Sequence, residues 1–252
     1  MARSALDTFS PATRNWFTGA FSAPTAAQEG AWGAIGEGSD VLVVAPTGSG
    51  KTLAAFMSAL DTLASTPPPA ESRKRCRVLY VSPLKALAVD VERNLRSPLT
   101  GIRQESVRLG LPEPQVRVGI RSGDTPAAER RSLATRPPDI LITTPESLFL
   151  MLTSSAREAL EGVETVILDE VHAVAGTKRG AHLALSLERL DELLPKPPAG
   201  SGCRRRSGRW TRWRGSCRRS AGWRSSSRPR ARSSTCRWWC RWRIWASWAA
   251  RR

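Results

Sequence analysis

Residues 41 to 56 read Val41-Leu42-Val43-Val44-Ala45-Pro46-Thr47-Gly48-Ser49-Gly50-Lys51-Thr52-Leu53-Ala54-Ala55-Phe56. Gly48, Ser49 and Gly50 allow successive backbone N–H groups to turn inward, Lys51 adds a compact positive charge, and Thr52 offers a hard hydroxyl oxygen. Inward N–H groups at the positive end of a helix, with a lysine beside them, hold phosphate oxygens, and the adjacent hydroxyl serves a Mg²⁺ bound to the same phosphates. A Gly/Ser turn that precedes Lys-Thr by chance is the plain alternative. The apolar run before the loop and the helical pattern after it supply the strand and helix that a phosphate-binding loop requires, and they decide against chance. Ala45 stands where the first glycine of the motif falls. A nucleoside triphosphate site is expected here.

A second group of reactive residues follows in Val166-Ile167-Leu168-Asp169-Glu170-Val171-His172. Read alone, two carboxylates after an apolar run are an ordinary solvated strand end. With a phosphate loop upstream they acquire a use. Asp169 can hold Mg²⁺ through water, and Glu170 can orient and deprotonate the water that attacks a γ-phosphate. His172 by itself is only a polar residue at a strand-to-helix corner.

Five short apolar runs, at 41–44, 77–82, 116–120, 139–143 and 165–168, are the strands that must position these groups. Between them, 84–95, 126–133, 146–153 and 181–194 carry apolar residues at three- and four-residue spacing. Continuous apolar strands alternating with amphipathic helices predict an α/β fold of the RecA-like P-loop type, a parallel sheet with helices on both faces. Pro67-Pro68-Pro69 and Pro137-Pro138 mark loops, and no internal repeat is visible.

The net charge of +17 belongs to one end of the chain. Residues 201–252 hold 17 of the 39 Lys and Arg and none of the 22 Asp and Glu, so residues 1–200 are neutral. The same stretch contains eight of the ten Trp and four of the five Cys, and it lacks Leu, Val, Phe, Tyr, Met, Asn, Gln and His. Core-filling residues are missing, so a domain is expected over 1–199 and a disordered basic tail over 200–252. The N-terminus lacks the apolar stretch of a signal peptide, and no segment has the roughly 18 consecutive apolar residues of a membrane span. Cys76 is the one cysteine of the first 200 residues, which suits a reducing compartment. A cytoplasmic protein without membrane contact is expected.

Five motifs occur in a family's order. Ala45 to Thr52 with Asp169-Glu170-Val171-His172 resembles a superfamily 2 helicase of the DEAD/DEAH type. Within that superfamily, Ser82-Pro83-Leu84-Lys85-Ala86-Leu87-Ala88-Val89-Asp90, Thr143-Thr144-Pro145-Glu146-Ser147-Leu148 and the run from Gly176-Thr177-Lys178-Arg179-Gly180 to Leu190 are similar to the large helicase-related (Lhr) group. The resemblance covers residues 15 to 196. It implies an ATP-dependent helicase moving 3′→5′ on single-stranded nucleic acid, DNA favoured, in DNA repair, with ATP and Mg²⁺ as cofactors and a monomeric state. Gln28 would read the adenine beside Thr47, Gly48, Ser49, Gly50, Lys51 and Thr52, and Thr52 and Asp169 would hold Mg²⁺. Lys51, Asp169 and Glu170 would be catalytic, and His172 would couple nucleotide state to a second motor domain. Ser82, Lys85, Gly123, Thr144 and Glu146 would lie along the nucleic-acid backbone. Without the family, Lys85 and Arg179 are ordinary surface charges.

The family architecture also implies a strand ending in Ser-Ala-Thr, placed between the strands at 41–44 and 165–168, and then a second RecA-like domain that supplies an arginine finger. The tail has the Arg, Trp, Ser, Cys, Gly and Ala alphabet of GC-rich codons read out of frame. With a one-base shift, codons for 204–210 can re-read as Ser-Ala-Thr-Val-Gly-Pro-Leu, those for 211–217 as Asp-Glu-Val-Ala-Arg-Phe-Leu, and those for 238–245 as Val-Val-Val-Pro-Val-Glu-Asp-Met. All three use the same shift, and the first restores the missing motif. Residues from about 198 onward therefore read as a frameshift product, and a truncated, inactive and poorly folded polypeptide is expected. The rival enzyme-free reading is a fragment that binds nucleotide, or binds polyanions through its tail, without turnover. Arg and Trp interleaved for base stacking or for a membrane surface would need a selected sequence. Cys203, Cys217, Cys236 and Cys240 form no Cys-x-x-Cys pair, so no zinc is expected. Sequencing the locus checks the frame. Codons for Arg204, Arg205 and Arg206 should re-read as the Ser-Ala-Thr motif and open a long downstream frame; an early stop in that frame contradicts the reading.

Overall fold

The computed structural model describes residues 4–46 and 48–195, and the backbone of 199–201. Helices α1 (Pro11–Ala20), α2 (Ala26–Gly36) and α3 (Lys51–Ser65) come first. There follow β1 (Val78–Val81), α4 (Lys85–Arg108), β2 (Val118–Arg121), α5 (Ala127–Thr135), β3 (Ile140–Thr143), α6 (Pro145–Leu152), β4 (Thr165–Leu168), α7 (Val171–Val174), α8 (Lys178–Leu193) and β5 (Ala199–Ser201). The sheet order is β2-β3-β1-β4-β5, and every pairing is parallel. Parallel neighbours require crossovers, and helices provide them.

Strand periodicity sorts β1 into two cores. Leu79 and Val81 join Leu141, Val166 and the buried residues of α6 and α8 on one face, while Val78 and Tyr80 join Ile140, Ile142, Ile167 and residues of α3 and α4 on the other. A strand covered on both faces has no reason to alternate with polar residues, which is why its sequence is a continuous apolar run. The α/β class with helices on both faces is thus observed, and four of the five expected strands form within a few residues of their apolar runs. α4 extends far past its expected end, through Pro98, whose missing N–H removes one helical bond without ending the helix.

The exception is the run at 41–44. Val41 makes a single bridge and is buried at 5% exposure, but Leu42 to Val44 pair with no described strand, and Val44 is 47% exposed. The expected buried strand is corrected to a segment that bridges only at Val41. A strand exists only through its ladder, and the lane beside β4 holds three residues, paired from Thr165↔Ala199 to Ile167↔Ser201. This short β5, Ala-Gly-Ser, stands where the Ser-Ala-Thr strand was expected, and it straddles the expected boundary at 199. The tail beyond Ser201, with the expectations of disorder and of no zinc site, lies outside the described residues. Among the described residues no helix is long and apolar enough to cross a membrane.

The opposite edge of the sheet is tied by a buried carboxylate. Asp139, 1% exposed, accepts from the Arg75 Nε–H at 3.0 Å and the Arg117 backbone N–H at 2.8 Å, with Arg77 Nη2 at 3.9 Å. Arg77 is itself 4% exposed and donates to Thr66 Oγ1. One side chain thereby joins the entries of β1, β2 and β3. Asp139→Ala would strand Arg77 without its counter-charge, and removing one partner of a buried pair costs about 3–5 kcal/mol. Urea unfolding should show a loss of that size; a loss below about 1 kcal/mol, the scale of an exposed pair, would contradict the assignment.

Candidate functional site

Register places the site. Arg121 pairs with Thr143, Thr143 with Val81, and Val81 with Leu168, so β2, β3, β1 and β4 end in one row. The residues that follow, Ser122, Thr144, Ser82 and Asp169, leave the sheet along a single edge. Ser82 N–H donates to Thr143 O at 2.9 Å and Asp169 N–H to Val81 O at 3.0 Å, which carries the row one step past the strands.

The phosphate loop is gripped from the side by α2. Thr25 and Gln28 form a capping box, in which the Gln28 N–H donates to Thr25 Oγ1 at 3.3 Å and the Thr25 N–H to Gln28 Oε1 at 2.9 Å. The same two side chains then hold the loop. Thr25 Oγ1 donates to Ser49 O at 3.1 Å and Gln28 Nε2 to Gly50 O at 3.5 Å, while Trp32 Nε1 donates to Ala54 O within α3. Gly50 has φ +76°, which favours glycine, and a Cβ there would stand 2.5 Å from Gln28 Nε2, so any larger residue would displace the Gln28 amide from the loop.

Gly50 caps α3 without a side-chain bond, and the first intrahelical donor is the Ala54 N–H to Gly50 O at 2.9 Å. The N–H groups of the first turn therefore point out of the helix end, where an anion is stabilised. Lys51 Nζ donates to Ala45 O and Pro46 O, both at 2.8 Å, and lies across the loop. A phosphate competes with these neutral carbonyls for the ammonium and prevails through its charge. Thr47, the remaining expected loop residue, lies outside the described residues.

The carboxylates stand where β4 leaves the sheet. Asp169 Oδ1 accepts the Glu170 N–H at 2.8 Å, and Oδ2 accepts the Tyr80 hydroxyl. Burial, and next the charge of Asp169, push the Tyr80 phenol far above its usual range, so it remains a neutral donor. Its ring stacks on Phe56 of α3, centroids 5.1 Å apart. Glu170 sits at φ 45°, ψ 40°, and is the only non-glycine residue with positive φ among those described. Such backbone strain persists where the surroundings fix it, and active sites are a common place. Glu170 Oε2 lies 3.0 Å from His172 Nε2.

These groups fit Mg²⁺. A carboxylate has about four acceptor positions, and Asp169 uses two of them within the protein. Mg²⁺ prefers oxygen donors and binds through one or two protein ligands plus phosphates and water. Asp169 and the Thr52 hydroxyl, on the first turn of α3, are donors of that kind. Among the described residues no group of three or more His, Cys, Asp or Glu side chains could hold a metal by itself.

The expected nucleic-acid residues share this edge, though not all through side chains. Ser82 is fully buried, and its hydroxyl is engaged with the Leu84 backbone at 3.1 and 3.4 Å. Thr144, 2% exposed, caps α6 by accepting the Ser147 N–H. Lys85 Nζ pairs with Asp124 at 2.7 Å beside Gly123. Glu146 forms a two-pronged pair with Arg179, which holds its carboxyl below the usual carboxylate range. Gln28 is 4% exposed, and its amide already serves the phosphate loop. Sequence reasoning missed Thr25 and Tyr80. A Thr three residues before Gln is a visible capping-box signal, whereas one Tyr inside an apolar strand carries none.

A parallel sheet whose C-terminal edge carries an Asp-Glu pair, with a phosphate loop opening the helix α3 packed on its face, defines a P-loop nucleotide-binding domain. The chain belongs to the DEAD/DEAH box helicase family, whose family model matches residues 25–203. It is 68% identical over 192 residues to an Lhr helicase of Mycolicibacterium smegmatis and 64% identical over 192 residues to the Lhr helicase/uracil glycosylase of Escherichia coli. Those matches take in 76% and 75% of this chain but only 13% and 12% of the relatives. The solved structure of Mycobacterium smegmatis helicase Lhr bound to ssDNA and AMP-PNP superposes with a TM-score of 0.75 at 64% identity, covering 79% of this chain and 25% of that one.

Gly50→Ala and Gly38→Ala separate the two demands on the loop. Both glycines have φ near +75°, but nothing lies within 4 Å of a Cβ at Gly38. Each substitution carries the backbone strain of about 1–2 kcal/mol. Only Gly50→Ala should also lower nucleotide affinity, by about tenfold or more, the equivalent of about 1.4 kcal/mol. Equal nucleotide binding in both variants, measured by titration calorimetry, would contradict the grip of Gln28 on the loop.

Proposed function

We propose that residues 1–199 are the ATP-binding motor domain of an ATP-dependent helicase that moves 3′→5′ along single-stranded nucleic acid. The carrying observation is the common row in which the sheet ends, since it sets the Asp169-Glu170 corner and the expected strand contacts on one edge, and that corner is linked through Tyr80 and Phe56 to α3, the helix that starts at Lys51. In this reading Thr47 to Thr52 cradle the phosphates, Lys51 neutralises them, and Gln28 joins the adenine to the loop it already touches. Thr52 and Asp169 hold Mg²⁺, which when bound offsets the negative charge of the triphosphate. Glu170 accepts a proton from the attacking water. His172, paired with Glu170, passes the nucleotide state onward.

Ser82, Thr144 and Gly123 meet the strand through backbone groups, in keeping with hydroxyls already used inside the protein, while Lys85 exchanges Asp124 for a phosphate and Glu146 holds Arg179 beside the strand. A relative at 64% identity is described bound to ssDNA and AMP-PNP, which supports DNA as the strand and ATP as the nucleotide. The E. coli relative's name pairs a helicase with a uracil glycosylase and supports a role in DNA repair. A single cysteine in residues 1–200 suits a reducing compartment and supports a cytoplasmic location.

A second reading concerns this polypeptide alone. The matched stretch is 13% of the smegmatis relative, and an arginine finger supplied by another domain is worth about 10³–10⁵ in phosphoryl-transfer rate. A chain whose frame changes near residue 198 then binds nucleotide without appreciable turnover. Steady-state ATPase with and without single-stranded DNA separates the readings. In the protein with its downstream frame restored, Lys51→Ala should abolish nucleotide binding and hydrolysis. Glu170→Gln should keep binding and lose about 10²–10⁴ in turnover, because an amide cannot take the proton. Near-normal turnover in Glu170→Gln would show that Glu170 is not the base.

A further inference from the structure

The sheet face that packs on α3 contains one polar contact that the nucleotide site does not explain by itself. Tyr80 lies on β1, 1% exposed, between Val78 and the strand end, and is surrounded by Ile140, Ile142 and Ile167. Its ring fills the space against Phe56, and a phenylalanine would fill it as well. The hydroxyl therefore has a purpose apart from packing. It donates to Oδ2 of Asp169, one residue past the strand that neighbours β1.

Two donors now act on the one carboxylate, the Glu170 N–H on Oδ1 and the Tyr80 O–H on Oδ2. Together they fix both torsions of the Asp169 side chain and leave its remaining lone pairs on the outer side. Phe56 extends the same chain of contact to α3, the helix that begins with Lys51 and Thr52. The Mg²⁺ donors of the proposed site come from two elements, β4 and α3, and Tyr80 touches both. Partners that orient a metal ligand from behind typically change metal affinity by about 10–100-fold when removed.

We propose that Tyr80 is a positioning residue for Mg²⁺: its hydroxyl sets the rotamer of Asp169, and its ring sets the distance of that carboxylate from the phosphate-loop helix. The inference rests on the nucleotide reading above, and deepens it by assigning a residue outside every motif. It predicts that the hydroxyl governs metal affinity and leaves metal-free nucleotide affinity alone. A purely structural hydroxyl would do neither, and would show itself in stability.

The test uses the full chain and a fluorescent ATP analogue. Binding is followed first in EDTA, then at fixed nucleotide while Mg²⁺ is titrated. For Tyr80→Phe the Mg²⁺ midpoint should rise about tenfold or more, with nucleotide affinity in EDTA and the thermal midpoint close to those of the unaltered chain. In an Asp169→Asn background the same substitution should shift the Mg²⁺ midpoint no further, because its effect passes through that carboxylate. An unchanged midpoint in Tyr80→Phe overturns the inference while leaving the nucleotide site intact. So does an equal loss of affinity with and without metal, or a further shift in the Asp169→Asn background. If the unaltered chain shows no Mg²⁺-dependent binding, the nucleotide reading falls and the positioning role falls with it.

Discussion

Parallel strands that end in one row constrain everything else in this domain. Because Arg121, Thr143, Val81 and Leu168 are register partners, the turns that follow them issue along one line, and chemistry distant in sequence becomes adjacent in space. A slip of one residue in β4 would turn Asp169 from the α3 face to the α8 face, since side chains alternate across a strand. The register is held at the other end by Asp139, whose carboxylate meets Arg75, Arg77 and the Arg117 N–H. Stability at the base of the sheet is thus the condition for geometry at its top.

Within that frame the two halves of the nucleotide site are fixed by different means. The phosphate loop carries little packing of its own, with Gly48 and Gly50 both at positive φ, and it borrows rigidity from the capping box of α2. The carboxylate corner borrows rigidity from the core through Tyr80 and Phe56. Both supports converge on α3, whose helix end is the anion site. A helix end needs no side chain of its own to attract phosphate, but it does need to stay where the carboxylates can reach the same ligand.

The phosphate loop, the Asp-Glu corner and four strands were legible in the sequence because each is written locally: glycines where φ must be positive, apolar runs where both faces are covered. The fifth run, 41–44, looked the same and, beyond the bridge at Val41, formed no ladder with a described strand, because a strand is made by its neighbour and the described strand beyond β4 is only three residues long. Side-chain duties were less legible. Ser82 and Thr144 were read as facing nucleic acid, yet their hydroxyls cap turns, a choice set by φ and ψ after each strand. Tyr80 was invisible, since a hydroxyl inside an apolar run gains meaning only when the carboxylate it meets is known. The long continuation of α4 was hidden by Pro98, which ordinarily breaks a helix but here lies inside one, flanked by buried Leu95 and Ile102.

The central claim is that ligand binding belongs to one edge of the sheet. Hydrogen–deuterium exchange with and without Mg²⁺ and AMP-PNP reads that edge segment by segment. Slower exchange should be confined to peptides covering residues 25–29, 45–54 and 168–172, extending to 82–86, 121–125 and 144–147 when single-stranded DNA is added. Peptides at the base, around Arg77, Arg117 and Asp139, should not change. Slower exchange at the base, or at 45–54 without any at 168–172, would contradict the account.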